Sequence, residues 1–234
     1  LRADDAPGVQ RPVQIIVPFK QNDAKSRLAP VLTPEERRLL AFAMLRDVLA
    51  VVSGYGEVTV LSLPGLKKEE IGVDVAISQS SLELNEAINA FIDAHAKHGW
   101  PSDILIVMAD LALLTGDVVD GILNCEGDVV LCPGRGGGTN MLLTRSPRFR
   151  TCYIGLSFPK HCAQAKLLGL HLNIFESFRA GCDIDDPGDL AEAVLHGRGD
   201  APCMLKKMGF ELANEGKAEL RRGASREFTS LCKL

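Results

Sequence analysis

The stretch DILIVMAD, Asp103 to Asp110, decides the fold. Its apolar run, Ile104 to Met108, leaves no polar face for an amphipathic helix and no alternation for a half-buried strand. A short run of this kind between two aspartates reads as a strand buried on both faces. Similar runs lie on either side of it: VQIIVP (Val13 to Pro18), EVTVLSL (Glu57 to Leu63), VDVAIS (Val73 to Ser78) and DVVLC (Asp128 to Cys132). TNMLLTR (Thr139 to Arg145) reads as a further strand and LNIFES (Leu172 to Ser177) as extended. Between them stand helical patterns. Thr33, Pro34, Glu35 and Glu36 form a helix start, and Leu40, Ala41, Met44, Leu45, Val48 and Val52 its apolar stripe. Further helices are expected in LELNEAINAFIDAHAKHG, over Thr115 to Asn124, over Phe158 to Leu168, and from Pro187 to Gly197. Buried strands alternating with amphipathic helices predict an α/β fold with a sheet covered on both faces.

Composition narrows the function classes. The chain has 234 residues, 46% of them hydrophobic and 24% charged, as expected of one large α/β domain. Its net charge of -4 gives no broad electrostatic case for nucleic acid or an anionic membrane, and Trp100 and the two tyrosines form no stacking pattern for bases. Seven scattered cysteines without a C-x-x-C pair read as reduced thiols in a cytoplasmic protein, with no disulfide framework and no zinc site. Cys132, Cys152 and Cys182 read as small buried apolar groups. No run approaches the roughly 18 apolar residues of a membrane helix. Residues 1–12 are read as disordered or as an appended remnant, 13–199 as the domain, and 200–234 as an arm packed on the domain or on a second subunit, which makes a homodimer the expected assembly.

In open α/β sheets, ligands bind beyond the carboxyl ends of strands, where connections change direction. Three loops follow strands with chemistry in them. The first, FKQNDAKSRL, crowds Lys20, Lys25 and Arg27 together. Such cations suit a triphosphate, whose departing pyrophosphate gains charge. A solvated surface loop accounts for them equally well, and the loop is not a Walker motif. The second signal is DIDDPGDL. In an extended segment Asp183 and Asp185 point to one side, where two carboxylates repel unless a cation such as Mg²⁺ lies between them; the competing account leaves both acids simply solvated. Asp186 reads as the cap of the helix begun by Pro187. The third is CPGRGGGTN. Gly136, Gly137 and Gly138 can present successive N–H groups to an anion, with Thr139 and Asn140 as side-chain donors, although a plain hairpin turn explains them too. Ser157 and Lys160 stand at an expected helix start that could receive a carboxylate or phosphate. His161 reads as a partly buried helix residue.

VPFKQNDAKSRL, MADLALL, PGRGGGTN, GLSFPKHCAQAKLLGL and DIDDPGDL occur in the order found in the 2-phospho-L-lactate guanylyltransferase family, which the chain resembles from Val13 to about Gly197. The resemblance implies a single Rossmann-like domain of the nucleotide-diphospho-sugar transferase type, with a mostly parallel mixed sheet. It implies a nucleotidyltransferase that joins GTP to 2-phospho-L-lactate, giving lactyl-2-diphospho-5′-guanosine and pyrophosphate on the way to the deazaflavin coenzyme F-420. Relatives in that family use phosphoenolpyruvate or 3-phosphoglycerate instead. The family pattern makes Asp110, Asp183 and Asp185 the Mg²⁺ ligands and puts the phospho-acid near Thr139, Gly155 and Ser157. Two departures stand out: many relatives read D-L-P where this chain has Asp110, Leu111, Ala112, and an acid where Gly134 precedes Arg135. No metal role is therefore expected around Gly134. Two rival classes are a nucleotide-binding regulator without catalysis and a sugar-phosphate or molybdopterin nucleotidyltransferase. The second calls for a glycine-rich opening after the first strand, where this chain has VPFKQNDAKSRL.

Overall fold

The computed structural model describes residues 11–21, 25–213 and 219–223. The expected disordered start thus lies outside the described residues up to position 10, as do residues 214–218 and 224–234 of the expected arm. Arg11 and Pro12 belong to the fold: the Arg11 guanidinium pairs with Asp103 at 3.2 Å, and the Asp103 N–H donates to the Pro12 carbonyl.

The strand read from DILIVMAD is central. β1 (Val13–Phe19) pairs in parallel with β2 (Glu57–Ser62) on one side and with β4 (Asp103–Val107) on the other. β3 (Ala76–Gln79) extends the sheet beyond β2. β5 (Val129–Pro133), β6 (Thr139–Thr144) and β7 (Leu172–Ile174) complete the order β3-β2-β1-β4-β6-β5-β7. β6 runs antiparallel to both β4 and β5. The connection from β5 to β6 is only Gly134 to Gly138, too short for the crossover that parallel strands need, so it closes a hairpin.

Helices cover both faces. α1 (Pro34–Val52) starts on a capping box in which the Thr33 hydroxyl accepts the Glu36 N–H and Glu36 accepts the Thr33 N–H. Its Leu45, Val48, Leu49 and Val52 pack with α4 (Gly116–Asn124) on the face carrying Ile15, Val17, Leu105 and Val107. α3 (Leu84–Lys97) and α5 (Ser157–Leu167) cover the opposite face, where Ile88, Ile92 and Ala165 meet Ile16, Ile104 and Ile106. β4 is therefore buried on both sides, as a continuous apolar run requires. Short α2 (Lys68–Ile71) and α6 (Phe178–Gly181) fill connections.

α7 (Asp189–His196) begins later than the proline suggests. Its N-cap is Gly188, not Asp186. The Asp189 carboxylate instead turns back to accept the N–H groups of Asp185 and Asp186 at 3.0 and 2.8 Å. The Pro187–Gly188 turn thus lies between the acidic run and the helix.

The segment after position 199 forms α8 (Asp200–Lys207), β8 (Phe210–Ala213) and β9 (Glu219–Arg222). Ala201, Leu205, Met208 and Phe210 join a third apolar cluster with Leu40 and Met44 of α1 and Leu190 and Ala193 of α7. The Asp47 carboxylate accepts the Ala201 N–H at 2.9 Å, satisfying an orphan donor of α8. These residues pack on their own chain, so they supply no argument for a second subunit. The six cysteines among the described residues are free, with Cys132 and Cys182 buried and Cys152 half-buried. No helix among the described residues is long and apolar enough to cross a membrane.

Candidate active site

The sheet changes direction between β1 and β4. From β1 the chain moves outward to β2 and β3, then returns across to β4 and continues the other way. The crevice at the carboxyl ends of these two strands holds Lys25 and Asp110. Lys25 Nζ donates to Asp110 Oδ2 at 2.5 Å and to Asp185 Oδ1 at 2.6 Å. Arg27 lies 3.6 Å from the second oxygen of Asp185. Asp183 is held beside them, because Asn140 Nδ2 donates to Asp183 Oδ1 at 3.1 Å and the Ile184 N–H donates to the Asp110 carbonyl. Three acids from distant parts of the sequence thus stand on one side of the molecule. Lys20, exposed at the end of β1, lies on the wall of the same cavity.

Electrostatics explains this arrangement. Burial disfavours the Lys25 ammonium, yet Asp110 and Asp185 together hold its pKa above the ordinary lysine value. Burial, and the neighbouring Asp110 and Asp185, raise the Asp183 carboxyl, while the Asn140 hydrogen bond works the other way. Lys25 also sits in the left-handed region, φ 57°, a backbone cost accepted by few residues other than glycine.

Among the described residues no three His, Cys, Asp or Glu side chains are arranged to hold a metal ion. Here the Lys25 ammonium lies between Asp110 and Asp185. The donor set nevertheless suits a hard divalent cation. It is all carboxylate oxygen, and Asp110 Oδ1 is buried without a hydrogen-bond partner.

A cavity of about 360 Å³ opens from this cluster. Lys20, Lys25, Asp110 and Asp185 line one part, and Leu82, Glu83 and Leu84 at the start of α3 another. Its size lies in the ordinary range of small-molecule sites. The rim from Leu82 to Leu84 carried no sequence signal, since Leu84 reads as part of the apolar stripe of α3 but stands exposed.

Thr139 and Asn140 diverge at a β-bulge. Cys132 faces Met141 and Pro133 faces Thr139, so Asn140 is the extra residue. Asn140 consequently reaches the Ala180 carbonyl at 2.8 Å and Asp183, on the α1 side of the sheet. Thr139 points to the other side, where its hydroxyl lies 2.8 Å from His161 Nδ1 and 3.3 Å from Ser157 Oγ. Gly134 makes room for this. A Cβ there would fall on the Asn140 amide, 2.9 Å from its Cγ and 3.0 Å from its Nδ2. The missing acid before Arg135 thus has a steric reason.

The glycine run corrects one expectation. The Gly137 N–H is spent on the Gly134 carbonyl and the Gly134 N–H on the Gly138 carbonyl, so Gly136, Gly137 and Gly138 do not offer an unbroken series of free donors. Gly137, φ 78°, supplies the turn's left-handed residue, and its carbonyl takes the Phe158 N–H at the start of α5. Gly155, φ 60°, is exposed just before Ser157. Lys160 Nζ donates to the Ile154 carbonyl at 2.6 Å. His161 is fully buried, with both ring nitrogens engaged, a role that its place in the sequence does not announce.

Comparison with known proteins bears on the fold and on the family. The structure is similar to one from Desulfovibrio desulfuricans G20 assigned to the nucleotide-diphospho-sugar transferases, with TM-score 0.71 at 15% identity over 83% of this chain and 94% of that one. A Methanothermobacter nucleotidyl transferase gives TM-score 0.57 at 15% identity over 83% and 98%. At these identities the likeness establishes the fold. In sequence, the chain is 48% identical to the 2-phospho-L-lactate guanylyltransferase of Methanothrix thermoacetophila over 93% of this chain and 99% of that one. The Archaeoglobus fulgidus 2-phospho-L-lactate guanylyltransferase is 40% identical over 90% and 97%. Residues 13–227 match the family described as guanylyl transferase CofC like, and to that family the chain belongs.

Proposed function

We propose that this protein is a guanylyltransferase that joins GTP to 2-phospho-L-lactate and releases pyrophosphate. The observation that carries the reading is the meeting of Asp110, Asp183, Asp185, Lys25 and Arg27 at one end of a cavity of about 360 Å³, in a chain of this family. A phosphate oxygen of the phospho-acid forms a bond to the α-phosphorus of GTP, and the bond from that phosphorus to the bridging oxygen of pyrophosphate breaks. The nucleophile is already an anion, so no strong general base is needed. The barrier lies in bringing two anions together and in the charge of the leaving group.

The chain's own residues answer both needs. Lys20, Lys25 and Arg27 neutralise the β- and γ-phosphates and the departing pyrophosphate. The hydroxyls of Thr139 and Ser157 and the backbone near Gly155 hold the phospho-acid, with Asn140 fixing Asp183. Asp110, Asp183 and Asp185 would hold Mg²⁺, which supplies charge neutralisation between the two phosphoryl groups when bound. The free thiols suit a cytoplasmic enzyme.

Pyrophosphate release tests the reading. It is measured with each nucleoside triphosphate against 2-phospho-L-lactate, phosphoenolpyruvate and 3-phosphoglycerate. GTP with 2-phospho-L-lactate is the expected best pair, and no release with any pair refutes the activity. Asp183→Asn and Asp185→Asn should each lose about 100-fold or more in turnover while still folding; full rates in both would remove the carboxylates from the mechanism.

A further inference from the structure

We propose that His161 is a positioning residue: its imidazole, fixed in one tautomer by a backbone donor, occupies a lone pair of the Thr139 hydroxyl and so leaves that hydroxyl's proton for an oxygen of the phospho-acid. This deepens the proposed function and rests on its reading of Thr139 and Ser157 as contacts to that acid.

Fixed donors around the ring decide where its proton sits. The Cys152 N–H lies 2.7 Å from His161 Nε2. A backbone N–H can only donate, so Nε2 must present a lone pair. The ring proton of neutral imidazole is then on Nδ1, and Nδ1 donates to Thr139 Oγ1 at 2.8 Å. A doubly protonated ring would set a proton against the Cys152 N–H. Burial among Phe149 and Tyr153 opposes that charge and lowers the His161 pKa to about 4.

Thr139 Oγ1 therefore already accepts one hydrogen bond, and its own proton needs an acceptor. Among the described residues the other hydroxyl in reach is Ser157 Oγ at 3.3 Å, a long contact. Two hydroxyls side by side, one with its lone pair occupied by a fixed donor, make a pair of O–H groups suited to an anionic oxygen. The bulge at Asn140 places this pair one residue along the strand from the Asn140 contact to Asp183. The chain of donors runs from Cys152 through His161 to Thr139, whose own proton is the one left to donate.

Two conservative variants separate this role from plain packing. In His161→Asn the amide reaches the place of Nδ1 and can still donate to Thr139. In His161→Gln it reaches the place of Nε2 and can still accept from Cys152. We expect His161→Gln to raise KM for 2-phospho-L-lactate about 10- to 100-fold, the loss of one hydrogen bond to a charged group, with KM for GTP little changed. His161→Asn should recover most of that loss. Thr139→Val, which leaves the ring in place, should match His161→Gln, and the double variant should be no worse than either. Equal damage from Asn and Gln, or parallel rises in both KM values, would mean a structural role only and overturn the proposal. Long-range proton–nitrogen NMR of the wild-type protein reads the tautomer without turnover. A proton on Nδ1 at neutral pH supports the relay, and a proton on Nε2 overturns it. If the wild type transfers guanylyl groups to no phospho-acid, the proposed function fails while the NMR result still decides the tautomer.

Discussion

Lys25→Met offers the sharpest view of the site's electrostatics. In the resting protein one ammonium faces Asp110 at 2.5 Å and Asp185 at 2.6 Å. The two carboxylate oxygens are therefore no more than about 5 Å apart, and at an effective dielectric near 20 their unscreened repulsion is about 3 kcal/mol. Asp185 is 37% exposed, so water takes up part of this. Removing the ammonium also removes its own burial penalty. A net loss of about 2 kcal/mol is expected in chelator, or about 4–8 °C in Tm for a chain of this size. A divalent cation should reverse it. In the wild type such an ion must displace Lys25 from between the carboxylates, whereas in the variant that competitor is absent. Thermal unfolding with and without Mg²⁺ should therefore show a larger Mg²⁺-induced rise for Lys25→Met, with turnover lost because the triphosphate loses a counter-charge. If the variant is as stable as the wild type in chelator, or Mg²⁺ raises its Tm no more than the wild type's, the cluster is not the frustrated acidic site described above.

Two further outcomes follow from the structure. Gly134→Ala places a methyl against the Asn140 amide, whose bonds to Ala180 and Asp183 must then yield. Denaturant unfolding should show a loss of about 2–4 kcal/mol, from one neutral and one charge-assisted bond, together with reduced turnover. Unchanged values in both assays would mean that the turn simply moves aside. The second concerns pH. His161 titrates at about 4 in the folded protein against 6.5 as its ordinary value, so the unfolded chain takes up the proton first. Stability is lost as pH falls from about 6.5 to about 4, by up to about 3 kcal/mol, and this component levels off below that. His161→Gln should show a shallower fall in urea midpoint over the same window, and an identical profile would refute the buried neutral ring.

Much of this architecture is legible in residue order because strands buried on both faces are continuous apolar runs, as in Ile104 to Val107, and the long helix α1 carries its own start signal at Thr33. Asp183 and Asp185 stand out by their spacing in DIDDPGDL, whereas Asp110 enters through the family pattern, because an aspartate directly after a strand commonly caps a turn. What sequence could not supply was long-range partnership. Nothing near Lys25 announces that its ammonium meets Asp110, 85 positions away, or Asp185, 160 positions away. The cap assigned to Asp186 failed because Pro187 opens a turn before the helix. His161 reads in sequence as a partly buried helix residue because one imidazole on a helix looks the same whether it packs idly or holds a hydroxyl; only its neighbours on β6 and at Cys152 distinguish the two.

The irregularity at Asn140 has a consequence for how this chain can change. Side chains along a regular strand swap sides at every step, so the extra residue works as a frame shift written into the backbone. Substitutions nearby change contacts while the shifted frame stays in place. Deleting the extra residue would restore the regular frame with Thr139 still opposite Pro133 and facing α5, and would remove in one event the side chain that reaches Ala180 and Asp183. A one-residue deletion at this bulge therefore cannot be approached by gradual substitution, and the length of the hairpin is held fixed by the grip of Asn140 on Asp183.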